Sequence, residues 1–278
     1  MAMSIRTNVA SLNAQKNLYQ TQSALDSSLS RLSSGFRITK AGDDAAGLGI
    51  STKLESQIRS YSQAVRNAND GLSVIQSTEA ALNEQANILT RMRELAMQSA
   101  SDGIGNTERT YIQTETKSLT DELERISQVT EYNGTKLLDG SNATLDFQVG
   151  INNSSTGFDR ISFSTLNATT AAAGLNVTGL SLATKASAQA ALATIDTALV
   201  NVSTSRSTLG AAGNRFSSAI SSIQSFSESL SAANSRIKDV DVAEETSRMA
   251  RGQILSQAGV SVLAQANQVP QMALKLLQ

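Results

Sequence analysis

From Leu54 onward, apolar positions recur at alternating steps of four and three: Leu54, Ile58, Tyr61, Val65, Ala68, Leu72, Ile75, Leu82, Ala86, Leu89 and Ala96, interrupted at Glu79 and Arg93. A sustained 3.5-residue period predicts a coiled-coil type of helix. Starting near Asp44 and ending near Ser99, before the helix-breaking Ser101-Asp102-Gly103-Ile104-Gly105, it would hold about 55 residues and span roughly 80 Å. A second run, Ile112, Leu119, Leu123 and Ile126 with only Thr116 polar, predicts a helix over about 106–130 that folds back antiparallel on the first. Asn106 or Thr107 is placed to cap it, and Glu108 sits favourably beside its dipole. The third run is Ala188, Leu192, Ile195, Leu199, Val202, Leu209, Phe216, Ile220, Ile223, Leu230 and Ile237, with gaps at Arg206, Gly213, Ser227 and Asn234. It predicts a helix over about 184–236. Each of these helices has one apolar seam, so each needs the others to bury it.

Between the second and third helices the period changes. Asn133-Gly134 and Asp139-Gly140 are hairpin-type turn pairs, and Leu145-Asp146-Phe147-Gln148-Val149 and Ile161-Ser162-Phe163 alternate with period two. A small β-hairpin is expected there, followed by an exposed connection from Thr165 to Ala183. The ends differ again. Residues 4–34 carry Ile5, Leu12 and Tyr19 seven apart, then Leu18, Leu25 and Leu32, with Val9 and Leu29 between. Residues 237–278 carry Leu255, Val262, Val269 and Leu276 seven apart, with Gly259, Ala266 and Ala273 in the intervening seam positions.

The pattern therefore predicts a mainly α chain folded in half. It reads as an elongated antiparallel helical bundle or coiled coil, with paired terminal helices and a small β-hairpin region. The division expected is a terminal domain of residues 1–43 with 237–278, and a rod of residues 44–236 whose hairpin and linker occupy about 131–183. Weak seams do not offset a backbone-ordering cost of roughly 1–2 kcal/mol per residue, so the arms are expected to order only against neighbours. Pro270 should kink the last helix or be offset by packing, since a helix-interior proline costs about 3 kcal/mol.

Composition narrows the chemistry. The 278 residues include no Cys, His or Trp and a single Pro, and only 17% are charged. Ser-His-Asp triads, Cys-His dyads, zinc fingers and disulfides are excluded, and no catalytic, cofactor or metal residue is assigned. A net charge of −1 gives no field to gather nucleic acid. No run is apolar enough to span a membrane, and the first residues lack a signal-peptide core. Asp43-Asp44 reads as a capping pair at the start of the long helix, and Gly47-Leu48-Gly49 as a place for close packing or a bend.

Ser11-Leu12-Asn13-Ala14-Gln15, Ser30-Arg31-Leu32-Ser33-Ser34-Gly35 and Ala41-Gly42-Asp43-Asp44-Ala45-Ala46-Gly47-Leu48 resemble the N-terminal signature of bacterial flagellins. Ile254-Leu255-Ser256-Gln257-Ala258-Gly259 and Leu263-Ala264-Gln265-Ala266-Asn267-Gln268-Val269-Pro270-Gln271 resemble their C-terminal one. Arg6 stands where an asparagine is common, and Gly49 where an alanine is common.

The resemblance implies a structural subunit of the flagellar filament, without large outer domains. It implies an extracellular location reached through the flagellar type III apparatus, without a cleaved signal. The implied partners are copies of the chain itself, an export chaperone on the C-terminal arm, and the filament cap and hook-associated proteins. Polymerisation residues are expected at Leu12, Leu25, Leu29, Leu32, Leu255, Val262, Val269 and Leu276. Arg91, Leu95 and Glu115 fall at positions resembling the surface seen by the flagellin-sensing Toll-like receptor. The resemblance implies O-linked glycosylation of exposed Ser or Thr as the more usual modification, which makes Ser154, Ser155, Thr156 and Thr169, in the expected exposed loops, candidates. The alternative reading is a hook-filament junction protein.

Overall fold

The computed structural model describes residues 7–142, 144–153 and 159–275, with side chains as far as Gln268. Its helices are α1 Val9–Ser34, α2 Ala45–Ser99, α3 Asn106–Val129, α4 Lys185–Lys238 and α5 Val242–Lys275. Its strands are β1 Glu131–Tyr132, β2 Thr135–Lys136, β3 Thr144–Gln148 and β4 Arg160–Ser164. The chain is mainly α, and the three long helices begin and end at or beside the residues their periodicity predicts. Helix α5 continues past Pro270.

Two compact units are present, residues Met1–Ile58 with Glu228–Gln278, and residues Arg59–Ser227. The divisions fall inside α2 and α4 rather than at 43/44 and 236/237. The physical reason is that the first turns of α2 and the last of α4 are tied into the terminal unit. Lys238 Nζ reaches Glu55 Oε1 at 2.7 Å, and a Cβ on Gly47 would lie 2.8 Å from Ile38 Cδ1. Gly47 thus permits close packing, whereas Gly49 faces open space.

In the unit 59–227, α2 and α4 run antiparallel, joined by the ion pairs Arg93–Asp196 and Arg206–Glu79. The expected central row of α2, Ala68, Ile75, Leu82, Leu89 and Ala96, is buried. A second flank is buried as well: Gly71, Thr78, Gln85, Met92 and Ser99. Apolar periodicity missed this flank because three of its members are polar, and each of the three donates a hydrogen bond to a backbone carbonyl inside the unit. Thr78 donates to Val74 O at 2.8 Å, Ser99 to Leu182 O at 2.6 Å, and Gln85 Nε2 to Leu123 O and Ala168 O. Two buried flanks are what a helix with neighbours on both sides requires.

The turn from α2 to α3 is held by an unexpected residue. Arg109 is buried, and its guanidinium donates to Ser99 O at 3.0 Å, Ser101 O at 2.9 Å and Asn106 Oδ1 at 3.1 Å. It thereby serves carbonyls that the end of α2 leaves without helical partners. The expected capping role of Asn106 or Thr107 is not realised: the N-cap is Gly105, without a side-chain bond, because Asn106 is engaged by Arg109. Glu108 does lie in the first turn.

Asn133-Gly134 forms a two-residue hairpin turn, with Asn133 at φ 49° and Gly134 at φ 77°, joining β1 to β2 in the register Tyr132↔Thr135. Positive φ at both positions marks the twist-matched type I′ turn. Asp139-Gly140 is not a hairpin turn, because Asp139 Oδ1 instead accepts from the backbone N–H and hydroxyl of Ser141. The main hairpin pairs β3 with β4, with Leu145 opposite Phe163 and Phe147 opposite Ile161.

The expectation of an exposed connection over Thr165–Ala183 is corrected. Ala168, Leu175, Val177 and Leu182 belong to the core. Side chains of α3 hold the segment down: Glu124 Oε2 accepts from Thr170 N–H and hydroxyl at 2.8 Å each, and Gln113 Nε2 donates to Leu180 O at 3.1 Å. The Thr170 backbone bond is the main cause that holds the Glu124 carboxyl below its ordinary pKa.

Three of the chain's six phenylalanines meet in this unit. The Phe147 and Phe163 rings stack at 5.9 Å, and Phe216 of α4 meets both edge-on at 5.7 and 6.4 Å. Gly71 makes the room, since a Cβ there would lie 2.7 Å from Phe216 Cζ.

Candidate assembly surface of the terminal helices

In the terminal unit, Asn8 caps α1 by accepting from Ser11 N–H at 3.2 Å, and Gly35 ends it in the left-handed region at φ 74°. Asp241 Oδ1 accepts from the N–H groups of Ala243 and Glu244, and Glu244 and Glu245 favour the positive end of α5. The sheltered positions of α1 are Ser11, Ala14, Leu18, Thr21, Leu25, Ser28 and Leu32, with Arg31 beside the last, and those of α5 are Glu245, Met249, Gly252, Ser256, Gly259, Leu263 and Ala266. Both series alternate between steps of three and four, the seam spacing of a two-helix coil.

Leucines of α1 meet glycines of α5 across this seam. A Cβ on Gly259 would stand 3.2 Å from Leu18 Cδ1, and one on Gly252 would stand 3.5 Å from Leu25 Cδ1. Gly259→Leu should therefore weaken arm pairing by about 1–3 kcal/mol, the usual cost of overpacking. The readout is a raised critical concentration for polymerisation; an unchanged value would count against this seam.

One seam layer is polar. Glu245, 3% exposed, accepts from Ser28 Oγ at 2.6 Å, with Arg248 at 3.5 Å and Arg31 at 4.0 Å. Below it, Val240 N–H donates to Gly35 O, Arg37 N–H donates to Lys238 O, and the Arg37 guanidinium reaches Ile237 O. Lys238 Nζ lies 4.6 Å over the Phe36 ring. Asp43 accepts from Thr39 and Lys40, and the Thr39 backbone bond is the main cause of its lowered pKa. Asp44 accepts from Gly47 N–H at 2.8 Å, which is the capping role expected of it.

The expected polymerisation residues separate into two sets. Leu25 and Leu32 lie in the α1–α5 seam. Leu12, Leu29, Leu255 and Val262 are exposed, Leu255 at 52% and Val262 at 56%. The seam of α5 therefore does not run through Leu255 and Val262. It shares Gly259 and Ala266 with the expected series but uses Ser256 and Leu263, on the opposite flank. Tyr19, Ile254 and Val260 extend the exposed apolar surface. Leu276 lies outside the described residues, as does the side chain of Val269.

Arg91 and Glu115 are both exposed and form an ion pair at 2.9 Å, with Glu94 also on Arg91. Leu95 is 2% exposed and belongs to the core. Its side chain is covered by packing and is not part of the surface. Thr169 is withdrawn as a glycosylation candidate, because it is buried and its hydroxyl donates to Asn167 Oδ1 at 2.7 Å. Ser154, Ser155 and Thr156 lie outside the described residues. Among the described residues, no acidic cluster suits a metal ion and no helix is long and apolar enough to cross a membrane.

The bacterial flagellin N-terminal helical region matches residues 5–143, and the bacterial flagellin C-terminal helical region matches residues 192–277. A flagellin of Halalkalibacterium halodurans is 42% identical over 279 aligned residues, covering 99% of this chain and all of the relative.

The chain belongs to the bacterial flagellin family.

A Bacillus subtilis flagellin agrees at 40% identity, again over 99% of this chain and all of the relative. A solved structure described as a flagellar hook-associated protein of Vibrio parahaemolyticus has a TM-score of 0.59 at 16% identity, covering 71% of this chain and all of that one. That likeness shows the fold alone. Flagellins are structural subunits of the flagellar filament, so the surface built by α1 and α5 belongs to a self-polymerising protein and not to an enzyme.

Proposed function

We propose that this flagellin polymerises through the exposed apolar rows of its arms, Leu12 and Leu29 on α1 and Leu255 and Val262 on α5. The observation that carries this reading is their exposure beside a seam in which leucines of α1 face small residues of α5 such as Gly252, Ser256 and Gly259. Isolated helices with such seams gain little from pairing, so neighbouring subunits supply the burial that orders them. Between Arg251 and Lys275, α5 carries no charge, which lowers the desolvation cost of burying it in a polymer.

The same reading places the filament outside the cell. Export would be through the type III apparatus, with a chaperone on the C-terminal arm and with cap and hook-associated proteins at the filament ends. Growth of filaments from fragments added to the purified chain, seen by electron microscopy, tests it. A chain that stays soluble on seeding would reject it.

A second reading concerns the Toll-like receptor. It is favoured by the exposed Arg91–Glu115 pair, which leaves Leu95 a packing role beneath it. A receptor reporter that stays silent with the free chain would sink this reading.

A further inference from the structure

We propose that Asn133 is a site of spontaneous covalent ageing, in which its side-chain amide is lost through a cyclic imide formed with the backbone nitrogen of Gly134.

The chemistry requires a free carboxamide, an accessible next-residue backbone nitrogen, and no side chain on that next residue. Among the 278 residues, Asn133 is the one asparagine followed by glycine. The asparagines of α1, α2, α3, α4 and α5 precede N–H groups held in helical ladders or side chains that crowd the approach. Asn133 instead lies in a two-residue turn, exposed, as is Gly134. A Cβ built on Gly134 would have nothing within 4 Å. The pairing Tyr132↔Thr135 closes the hairpin around the turn and leaves Gly134 at its tip.

The step balances with water as the only co-reactant. The Gly134 nitrogen gives up its proton and bonds to Asn133 Cγ, and the Cγ–Nδ2 bond breaks to release ammonia. Water then opens the five-membered imide at either carbonyl. One opening leaves aspartate. The other leaves isoaspartate, in which the backbone runs through the former side chain and gains a methylene.

Consequences follow from the position. A two-residue type I′ turn has no room for an added backbone atom, so isoaspartate must open the β1–β2 pair. Leu137 and Leu138, buried directly after β2, would lose their anchor. Asn133 and Asp70 line one surface cavity together with Val74, Leu145 and Phe147, so the new carboxylate would join a second one there. On the extracellular filament reading proposed above, a subunit in place is not resynthesised, which gives such a slow reaction time to accumulate.

The experiment incubates the full-length chain, soluble and polymerised, in mildly alkaline buffer made with ¹⁸O-labelled water. Tryptic digestion releases Ile126–Lys136, in which Asn133 is the only asparagine. The expected result is two labelled products of this peptide, aspartyl and isoaspartyl, accumulating with time while other Asn-containing peptides stay unlabelled. Asn133→Gln, whose ring would need six members, should lose the reaction; Gly134→Ala should lose most of it. An unlabelled peptide from the folded chain would overturn the proposal, the more clearly if the urea-unfolded chain is labelled. So would equal labelling at the other asparagines.

Discussion

Val262→Asp is expected to abolish filament formation while the helical circular dichroism of the 59–227 unit stays unchanged, and Leu255→Asp should do the same. Both side chains are more than half exposed in the subunit, so an aspartate there remains hydrated in the free chain and costs little. Once a neighbouring copy covers that row, the carboxylate must shed water, and at 262 it does so with no charged residue of α5 nearer than Arg251 and Lys275; at 255 the guanidinium of Arg251, one turn before, offsets part of that cost. An unpaired charge in such a contact costs about 3 kcal/mol or more. That corresponds to a critical concentration raised over roughly a hundredfold, since about 1.4 kcal/mol is a factor of ten. Every subunit carries the defect, so no part of the polymer escapes it. Sedimentation and electron microscopy check the outcome, and normal filaments from either variant would place the intersubunit contact elsewhere.

The same two residues show how far the sequence could be read. A seven-residue period identifies a row of a helix, but the row has two flanks, and the period does not say which one the chain's own partner covers. On α5 the shared centre is Gly259 and Ala266. The flank with the larger apolar residues, Leu255 and Val262, looked like the seam, yet Ser256 and Leu263 are sheltered against α1. On α2 the apolar period marks the centre, and the second flank, Thr78, Gln85 and Ser99, is invisible to it because these residues are polar and their donors are bonded to carbonyls inside the unit.

Helix ends were legible because glycine, serine and aspartate punctuate them locally. The Thr165–Ala183 segment was not. Its composition reads as a loop, and its burial depends on Glu124 and Gln113, far away in sequence. The same distance hides the Ser28–Glu245 bond between the arms, which spans 217 residues. Arg109 was unreadable for a different reason: an arginine after a turn looks like a solvated charge until its three acceptors are in place. Among the residues implied by family resemblance, Arg91 and Glu115 are exposed as a receptor surface needs, whereas Leu95 is not.

Phe216→Ala should have the largest effect on the stability of the 59–227 unit. Phe216 is fully buried, and its ring meets Phe147 and Phe163 edge-on, so it joins α4 to the main hairpin. Truncation removes the ring and leaves a void that the rigid neighbours cannot close, at a cost of about 3–5 kcal/mol. For a unit of this size the melting temperature should fall by roughly 10 °C. Gly71→Leu attacks the same contact from the other side, because a Cβ there would lie 2.7 Å from Phe216 Cζ and 3.2 Å from Phe147 Cγ. Alone it should destabilise by about 1–3 kcal/mol through overpacking. In the double variant the leucine occupies the volume the ring vacates, so the two losses should not add, with a coupling of about 1–3 kcal/mol. Thermal melts of the four chains decide this. Additive losses would mean that the absence of a side chain at Gly71 is not what seats Phe216.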